Sequence, residues 1–303
     1  MRDGQAGIAA NGHQPGAKAV IINGDDLGLS AEVNAGILRA HREGILNSAS
    51  LMVAEAARDD AARAAKDFPG LDVGLHLVVC RGRSVLPPSE IAPIVDGQGR
   101  FAENPVASGL NYFFNRSIRA KLAAECRAQI ETHLKLVGYL NHIDGHLNFH
   151  VHPALADIMV DLAAEYKVPC IRLPREPAFT TLAIARDHMA RKLVESVIFR
   201  SLSRRTRKKA ARKGIRSTDW VFGLHQSGHL TEKYLLGIIS RLRPGLTEIY
   251  FHPAMDVGGT PPDANAQREV EILTSPRVRE ALSSRAIAIT TFAELARVQD
   301  NNG

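Results

Sequence analysis

The stretch "AVIINGDD", residues 19–26, joins an apolar, β-branched run to two adjacent carboxylates. Such a run predicts a buried strand, because β-branched side chains pack well in a parallel sheet that is covered on both faces. The next residues, "SAEVNAGILRAHREG", predict a helix that begins after the N-cap Ser30 and ends at Gly44. A strand followed at once by a helix is the repeating unit of a parallel sheet, so this stretch decides the predicted fold.

The same alternation continues along the chain. Further strands are predicted over residues 45–53, 71–79 and 141–153, and helical patterns separate them, the longest over 117–137. The sequence therefore predicts an α/β fold with a mainly parallel sheet and right-handed crossovers.

Polar residues recur near the ends of the predicted strands. Asp25 and Asp26 end the first strand, His76 lies in the third, and His252 follows the later apolar run "IYF". Because the carboxyl ends of parallel strands meet at one rim, we expect these side chains to converge there.

The segment "NHIDGHLNFHVHP", residues 141–153, places a polar residue at every second position. In an extended chain these side chains share one face. A merely solvated face would carry Lys, Glu, Thr and Ser, whereas this face carries groups that bind divalent metals and exchange protons at neutral pH. Its members are His142, Asp144, His146, Asn148, His150 and His152.

Each of these signals also has a purely structural explanation. Paired aspartates are common at a helix N-terminus, a lone histidine in an apolar strand is often packed core, and "HQSGH", with His225 and His229, fits a surface loop. Taken together, Asp26, His76 and His146 offer a carboxylate and two imidazoles, a common ligand set for catalytic Zn²⁺ or a related ion. Asp25 is then free to act as a base.

Composition excludes several classes of protein. With 303 residues and 45% apolar content, we expect a folded soluble protein, and no apolar run reaches the ~20 residues of a membrane span. The first seventeen residues lack the continuous apolar core of a signal peptide and are expected to be a flexible tail. Cys80, Cys126 and Cys170 are far apart and odd in number, which predicts no disulfide framework and favours the cytoplasm.

The positive charge is concentrated in one segment. Residues 204–213, "RRTRKKAARK", hold seven basic residues, and subtracting these from the net charge of +6 leaves −1 for the rest of the chain. The run lies in a basic helical insertion predicted at about residues 178–220. No aromatic residues are interleaved for base stacking, so we expect no nucleic-acid partner.

Four segments in order and spacing resemble the YdjC-like carbohydrate deacetylases: "NGDDLGLSAEVNAGILRAHREGILNSASLMV", "DVGLHL", "HIDGH" and "FHPAMD". The resemblance covers about residues 18–295. It implies an irregular TIM-like (β/α) barrel, similar to polysaccharide deacetylases and glycoside hydrolases, as one domain over 18–297. It also implies metal-dependent hydrolysis of the N-acetyl group of an amino sugar.

The resemblance assigns roles to residues that match the family motifs. It implies that Asp25 is the general base, that His252 is the general acid, and that Asp26, His76 and His146 bind one divalent ion. Zn²⁺ or Mg²⁺ is expected first, with Mn²⁺, Co²⁺ or Ni²⁺ as alternatives. The chain departs from the usual family pattern at Gly24, where alanine is usual, and at Asn148, where histidine is usual. Residues expected to support the ligands or contact substrate are Asp144, His142, Asn148, His150, His225 and His229.

Two segments, "DGHLNFHVHP" and "FGLHQSGH", more closely resemble the hopanoid-biosynthesis-associated branch of the family, HpnK. This implies a lipid-linked substrate, the N-acetylglucosaminyl head group of a hopanoid, reached from the cytoplasm. The basic run 204–213 would then contact the anionic inner face of the membrane. The alternatives are a deacetylase of soluble chito-oligosaccharides, or another metal-dependent amidohydrolase or phosphoesterase.

Overall fold

A computed structural model describes residues 16–300 of the chain. The predicted tail falls largely on residues 1–15, which lie outside the described residues. The described sheet has eight strands, β1 to β8, namely Lys18–Leu27, Ser48–Leu51, Asp72–Leu77, His142–Gly145, Cys170–Ile171, Trp220–Phe222, Gly245–Phe251 and Ala288–Ile289.

Helices connect and surround these strands. In chain order, α1 to α12 are Ala31–Glu43, Arg58–Asp67, Pro88–Ile91, Pro105–Phe114, Arg119–Val137, Pro153–Glu165, Ala178–Ile184, Met189–Arg212, Glu232–Ile239, Ala264–Thr274, Pro276–Ser283 and Phe292–Asp300. A 3-10 segment, His146–Val151, joins β4 to α6.

The sheet has the parallel order that the sequence predicts. Its strands run β5-β4-β3-β2-β1-β7-β6, each paired in parallel with its neighbour, and β8 pairs with the beginning of β1. β1 is therefore central, and all but its first residue are buried. The predicted helix after β1 is also confirmed, because the Ser30 side chain accepts a hydrogen bond from the backbone N–H of Val33.

The sheet curls, but its strands do not close into a complete TIM barrel. β5 and β6 lie at its two ends and have only two and three residues. An isolated parallel bridge between Cys170 and Arg216 links these two ends. The expected irregular TIM-like barrel is thus realised only in part, as a curled open sheet, since α7 and α8 occupy the chain between β5 and β6 and these two strands are too short to pair along a ladder.

The strand predicted over 141–153 is wrong beyond Gly145. The backbone turns at Leu147 and Asn148, whose φ angles are +54° and +57°, in the left-handed region. The turn breaks the two-residue alternation, so the polar residues after His146 do not continue one face. This matters for the site, because His150 and His152 are carried away from the rim.

The segment predicted at about 178–220 contains α7 and the long helix α8. The first half of α8 exposes Met189, Leu193, Val194, Val197 and Ile198. Its second half carries the basic run. No helix in the described part of the chain combines the length and apolar character needed to cross a membrane.

Candidate metal centre

The site begins at the end of β1, where the side chains of two consecutive aspartates lie at the rim formed by the carboxyl ends of the strands. In a regular strand, successive side chains point to opposite faces. Asp26 instead has a φ of +66°, a left-handed conformation that aspartate tolerates better than most residues. This backbone turn breaks the alternation, and the carboxylates of both Asp25 and Asp26 lie close to the His76 ring.

Asp26, His76 and His146 converge at this rim. Asp26 Oδ1 lies 3.1 Å from His76 Nε2 and 3.0 Å from His146 Nδ1. One ligand atom from each residue lies within 4.8 Å of the others, close enough to hold a single cation. Burial alone would raise the pKa of Asp26, but the hydrogen bonds and charges of the two imidazoles hold it well below its usual value.

The second nitrogen of His76 is fixed by Asp144. His76 Nδ1 lies 2.7 Å from Asp144 Oδ1, and the Ser50 hydroxyl donates to Asp144 Oδ2 at 2.7 Å. Burial disfavours the charged imidazole, yet the Asp144 carboxylate outweighs it and raises the pKa of His76 to about 10. A cation that replaced the Nε2 proton would find the ring already oriented, because Nδ1–H keeps its bond to Asp144.

A second group of potential ligands, Asp25, His76 and Asp144, also lies within 4.8 Å. It suits a cation less well, because the guanidinium of Arg172 already contacts both of its carboxylates. In the described structure, Asp26 is paired with His76 and His146 and not with an arginine or lysine, and this donor set matches the two imidazoles and one carboxylate of catalytic zinc sites. These three residues therefore fit a divalent cation.

Asp25 is held by a fully buried arginine. Arg172 Nη1 donates to Asp25 Oδ2 at 2.7 Å, and Nη2 donates to Oδ1 at 2.8 Å, a bidentate pair. Asn23 adds a third hydrogen bond at 2.8 Å to Oδ1. A carboxylate held this way has a fixed direction beside the cation site.

Asp25 has a second neighbour besides Arg172, the imidazole of His252. Its Nε2 is 4.0 Å from Asp25 Oδ2, and its side chain is 34% exposed, so it is open to a ligand. The backbone N–H of His252 donates to the Glu269 carboxylate at 2.5 Å, which fixes the segment after β7. The predicted base and acid are thus neighbours at the mouth of the sheet.

His142 and His150 are enclosed rather than open to the rim. The His142 ring stacks on Phe292 at 4.0 Å, and burial lowers its pKa to about 3. His150 Nε2 lies 2.8 Å from the carbonyl oxygen of Arg172, and burial lowers its pKa to about 4. Both rings are therefore neutral at pH 7, and their burial does not favour the expected contact with substrate.

The "HQSGH" histidines are not brought to this cluster. His225 is fully buried, with Nδ1 2.8 Å from the Thr181 hydroxyl and Nε2 3.1 Å from the Ser196 hydroxyl, so it ties the loop after β6 to α7 and α8. His229 is exposed. The sequence treated them as one motif because they are close in the chain, but they have different environments.

Asn148 lies in the left-handed turn that follows His146. It follows His146 by two positions, and its Oδ1 is buried without a hydrogen-bond partner in the described structure. The change from histidine to asparagine at this position is compatible with the backbone, because asparagine readily adopts the left-handed conformation found here.

Sequence analysis missed three polar residues that hold the site together. Arg172 in "CIRLP", Glu248 in "TEIYF" and Ser50 in "SASL" are each polar residues in an apolar context. Arginine and glutamate side chains are almost never fully buried in proteins unless they are paired. A charged residue inside a predicted buried strand was therefore the signal that could have identified Arg172 and Glu248.

The fold and the site define an α/β protein with a carboxylate-and-imidazole centre, suited to a divalent cation, at the carboxyl ends of parallel strands. The chain belongs to the family of YdjC-like proteins, which it matches over residues 19–284.

Similar proteins match either nearly the whole chain or about half of it. The carbohydrate deacetylase of Brevibacillus brevis is 30% identical over 283 residues, which is 91% of this chain and 99% of that protein. The carbohydrate deacetylase of Vibrio cholerae is 37% identical over 164 residues, 53% of this chain and 62% of that protein. A solved structure, a putative cellobiose-phosphate cleavage protein from Enterococcus faecalis, has a TM-score of 0.71 at 25% identity, covering 92% of this chain and 99% of its own.

Proposed function

We propose that this protein is a metal-dependent carbohydrate N-deacetylase that converts an acetylated amino sugar and water into acetate and the free amine. One observation carries the proposal: Asp26, His76 and His146 converge within 4.8 Å beside a second aspartate and a partly exposed histidine. The names of the relatives from Brevibacillus brevis and Vibrio cholerae support the same activity.

The cation would be held by Asp26, His76 and His146. When bound, a divalent cation supplies Lewis acidity, which polarises the acetamide carbonyl and makes a water molecule easier to deprotonate. Asp144 keeps the His76 ring in the required orientation through Nδ1. The role of these four residues is therefore to hold charge in a fixed place, so that little reorganisation is needed during the reaction.

Asp25 and His252 move the protons in this proposal. Asp25 accepts the proton of the attacking water as a new C–O bond forms at the acetyl carbon. His252, protonated at Nε2, then donates to the amide nitrogen as the C–N bond breaks, and the amine leaves uncharged. Arg172 keeps the Asp25 carboxylate pointed at the site throughout.

The test compares the two neighbouring aspartates on N-acetylated chito-oligosaccharides, with acetate release and bound metal measured together. Wild type should release acetate, and a chelator should stop it until metal is restored. Asp26→Ala should lose both metal and activity. Asp25→Asn should keep the metal but lose about 10²–10⁴-fold in rate, because an amide cannot accept the proton.

Loss of metal in Asp25→Asn with retention in Asp26→Ala would contradict the assigned roles. Chelator-resistant activity would contradict metal dependence. If wild type releases no acetate from any acetylated amino sugar while its metal content is complete, the deacetylase proposal itself fails.

The finer substrate in this proposal is a lipid-linked amino sugar, the N-acetylglucosaminyl head group of a hopanoid. It is supported by the sequence resemblance and by the surface next to the basic run. α4 exposes Val106, Leu110, Phe113 and Phe114, and α8 exposes the apolar side chains of its first half. A groove of about 590 Å³ along the second half of α8 is lined by basic side chains: Arg204, Arg205, Lys208, Lys209 and Arg212.

Only part of this basic charge is free to meet a membrane. Arg205 and Lys209 pair with Asp157, and Lys213 pairs with Asp161, both on α6. Arg204, Lys208 and Arg212 are exposed, and each basic side chain near an anionic bilayer contributes about 1 kcal/mol. Substitution of these three exposed side chains is therefore the most direct test of membrane contact.

The membrane part is tested with vesicles of neutral and anionic phospholipid. Replacing Arg204, Lys208 and Arg212 with Gln should weaken salt-sensitive binding to the anionic vesicles and lower activity on membrane-presented substrate, but not on soluble chito-oligosaccharides. The matched control replaces the exposed Arg42, Lys66 and Lys135 of other helices. Equal binding by both triple variants would contradict membrane contact, and hydrolysis of soluble substrate alone would favour the chito-oligosaccharide alternative.

A further inference from the structure

We propose that Glu248 is a positioning residue for Asp25 and acts through Arg172. The inference rests on the proposed function, because it gives the buried glutamate a part in orienting the proposed base. Glu248 itself is fully buried in the central part of β7 and makes its polar contacts with Arg172.

The guanidinium of Arg172 is clamped on two edges. Glu248 Oε1 lies 2.7 Å from Nε and 2.6 Å from Nη2 of Arg172. The adjacent edge, formed by Nη1 and Nη2, makes the bidentate pair with Asp25, so Nη2 contacts both carboxylates. Because the guanidinium is planar, fixing its Nε edge also fixes the direction in which Nη1 and Nη2 point.

The arginine would have other choices without this clamp. Its Nη2 also lies 2.8 Å from Asp144 Oδ2, so three buried carboxylates share one cation. The Tyr250 ring, 4.5 Å from the guanidinium carbon, restrains the plane on one face but leaves rotation within that plane free. Glu248 is the contact that selects the bidentate pairing with Asp25 over a closer approach to Asp144.

The connection also spans the sheet. Arg172 directly follows β5, at one end of the sheet, whereas Asp25 lies on the central strand β1 and Glu248 on β7, next to the strand at the other end. The side chain thus crosses the interior of the curled sheet to reach the base. A contact made across such a span needs an anchor at its far side, since Arg172 has many rotamers.

Keeping a glutamate at this position is costly. Burial and the neighbouring Asp144 raise the pKa of Glu248 to about 7 in spite of Arg172, and its Oε2 has no hydrogen-bond partner in the described structure. An apolar side chain would avoid that cost. The cost is understandable if the Glu248 oxygen that accepts from Arg172 is needed to orient Asp25.

The experiment compares three substitutions of Glu248 in the metal-loaded enzyme. Glu248→Gln keeps an acceptor oxygen at the same distance and should stay within about tenfold of wild-type kcat. Glu248→Asp keeps the charge but withdraws the acceptor, and Glu248→Leu removes it. Both should lower kcat by about 100-fold with little change in KM or bound metal, as expected when a reacting group is misplaced by about 1 Å.

A matched control separates positioning from general stability. Glu125 is another fully buried glutamate, which accepts hydrogen bonds from the backbone N–H groups of Val85 and Leu86. Glu125→Leu should lower the melting temperature while the folded enzyme keeps its kcat. Glu248→Asp is the variant to judge if Glu248→Leu fails to fold.

The outcomes are distinct from those of the activity test. An inactive wild type would refute the proposed function. An active wild type with full activity in Glu248→Asp would refute positioning by Glu248, and so would loss of activity in Glu248→Gln with retention in Glu248→Asp, which would mean that charge rather than acceptor position matters.

Discussion

At the scale of single residues, His76 shows how the site prepares for a cation. Its ring lies between the carboxylates of Asp26 and Asp144, which are both acceptors, and its pKa is raised to about 10 against the effect of burial. The metal-free ring is therefore an imidazolium at neutral pH. A metal ligand must be deprotonated, so loading the site has to expel this proton.

This predicts that Zn²⁺ binding to the metal-free protein at pH 8 releases roughly one proton per cation. Calorimetric titrations in buffers of different ionisation enthalpy would measure it. Asp144→Asn should lower the pKa of His76, so that fewer protons are released, and should weaken metal affinity by about 10–100-fold. Binding at pH 8 with no proton release in the wild type would contradict the imidazolium state.

At the scale of elements, α1 sets the position of the segment that carries His252. A Cβ added at Gly36 of α1 would lie 2.6 Å from Ala254 Cα and 2.8 Å from the Pro253 carbonyl carbon. Real Cβ atoms essentially never lie within 3.0 Å of another heavy atom. The helix can therefore pack this closely against residues 253 and 254 only because residue 36 has no side chain. Gly36 therefore places the helix directly against the residues that follow His252.

Two helical glycines give a matched prediction. Gly36→Ala should destabilise the protein by about 1–3 kcal/mol through overpacking and should lower kcat by displacing His252. Gly109→Ala in α4 meets only His152 Nε2 at 3.5 Å, an ordinary contact, and should stabilise by about 1 kcal/mol through helix propensity. Urea unfolding of both variants measures the difference; stabilisation by both would show that α1 has room to move.

At the scale of the whole molecule, one hydrophobic cluster extends from Val20 to Ile287. We propose on this basis that residues 18–297 fold as one domain. The core also encloses histidines that are kept neutral by burial, which lowers the pKa of His133, His150 and His225 to about 4 and that of His142 to about 3. In the unfolded chain each would titrate near 6.5.

The sign of their effect on stability follows from this difference. Above pH 6.5 these histidines are neutral in both states and carry no penalty. As the pH falls from 6.5 towards 4, the unfolded chain takes up protons that the folded chain does not, so stability is lost. Glu176 and Glu248 act in the opposite direction, since burial raises their pKa to about 7 and their contribution is lost as the pH rises from 4.5 to 7.

His133 provides a test of the histidine effect, because it lies in α5 and its Nε2 is 3.1 Å from a backbone oxygen, the carbonyl of Tyr139. Between pH 6.5 and 5, wild type should lose about 1.5 kcal/mol more stability than His133→Gln, because the slope approaches about 1.4 kcal/mol per pH unit only once the unfolded histidine is mostly protonated. Urea unfolding across this range tests it. Parallel stability curves for the two proteins would mean that His133 is accessible to protons in the fold.

Features that depend on neighbouring residues and on strand direction could be predicted from the sequence. The apolar run before Asp25, the cap at Ser30 and the stop at Gly44 define β1 and α1, because they are local patterns. The grouping of Asp26, His76 and His146 followed from a general property: carboxyl ends of parallel strands meet at one rim, whatever lies between them in the chain.

How the other residues complete that rim could not be predicted from local sequence patterns. The left-handed backbone at Asp26 and Leu147, the enclosure of His142 and the clamp of Arg172 between Asp25 and Glu248 depend on residues far apart in sequence. The open sheet likewise depends on how few residues β5 and β6 can pair. These features have no local pattern, because a buried charge is stable only beside its partners, and only the complete fold brings residues 25, 172 and 248 together.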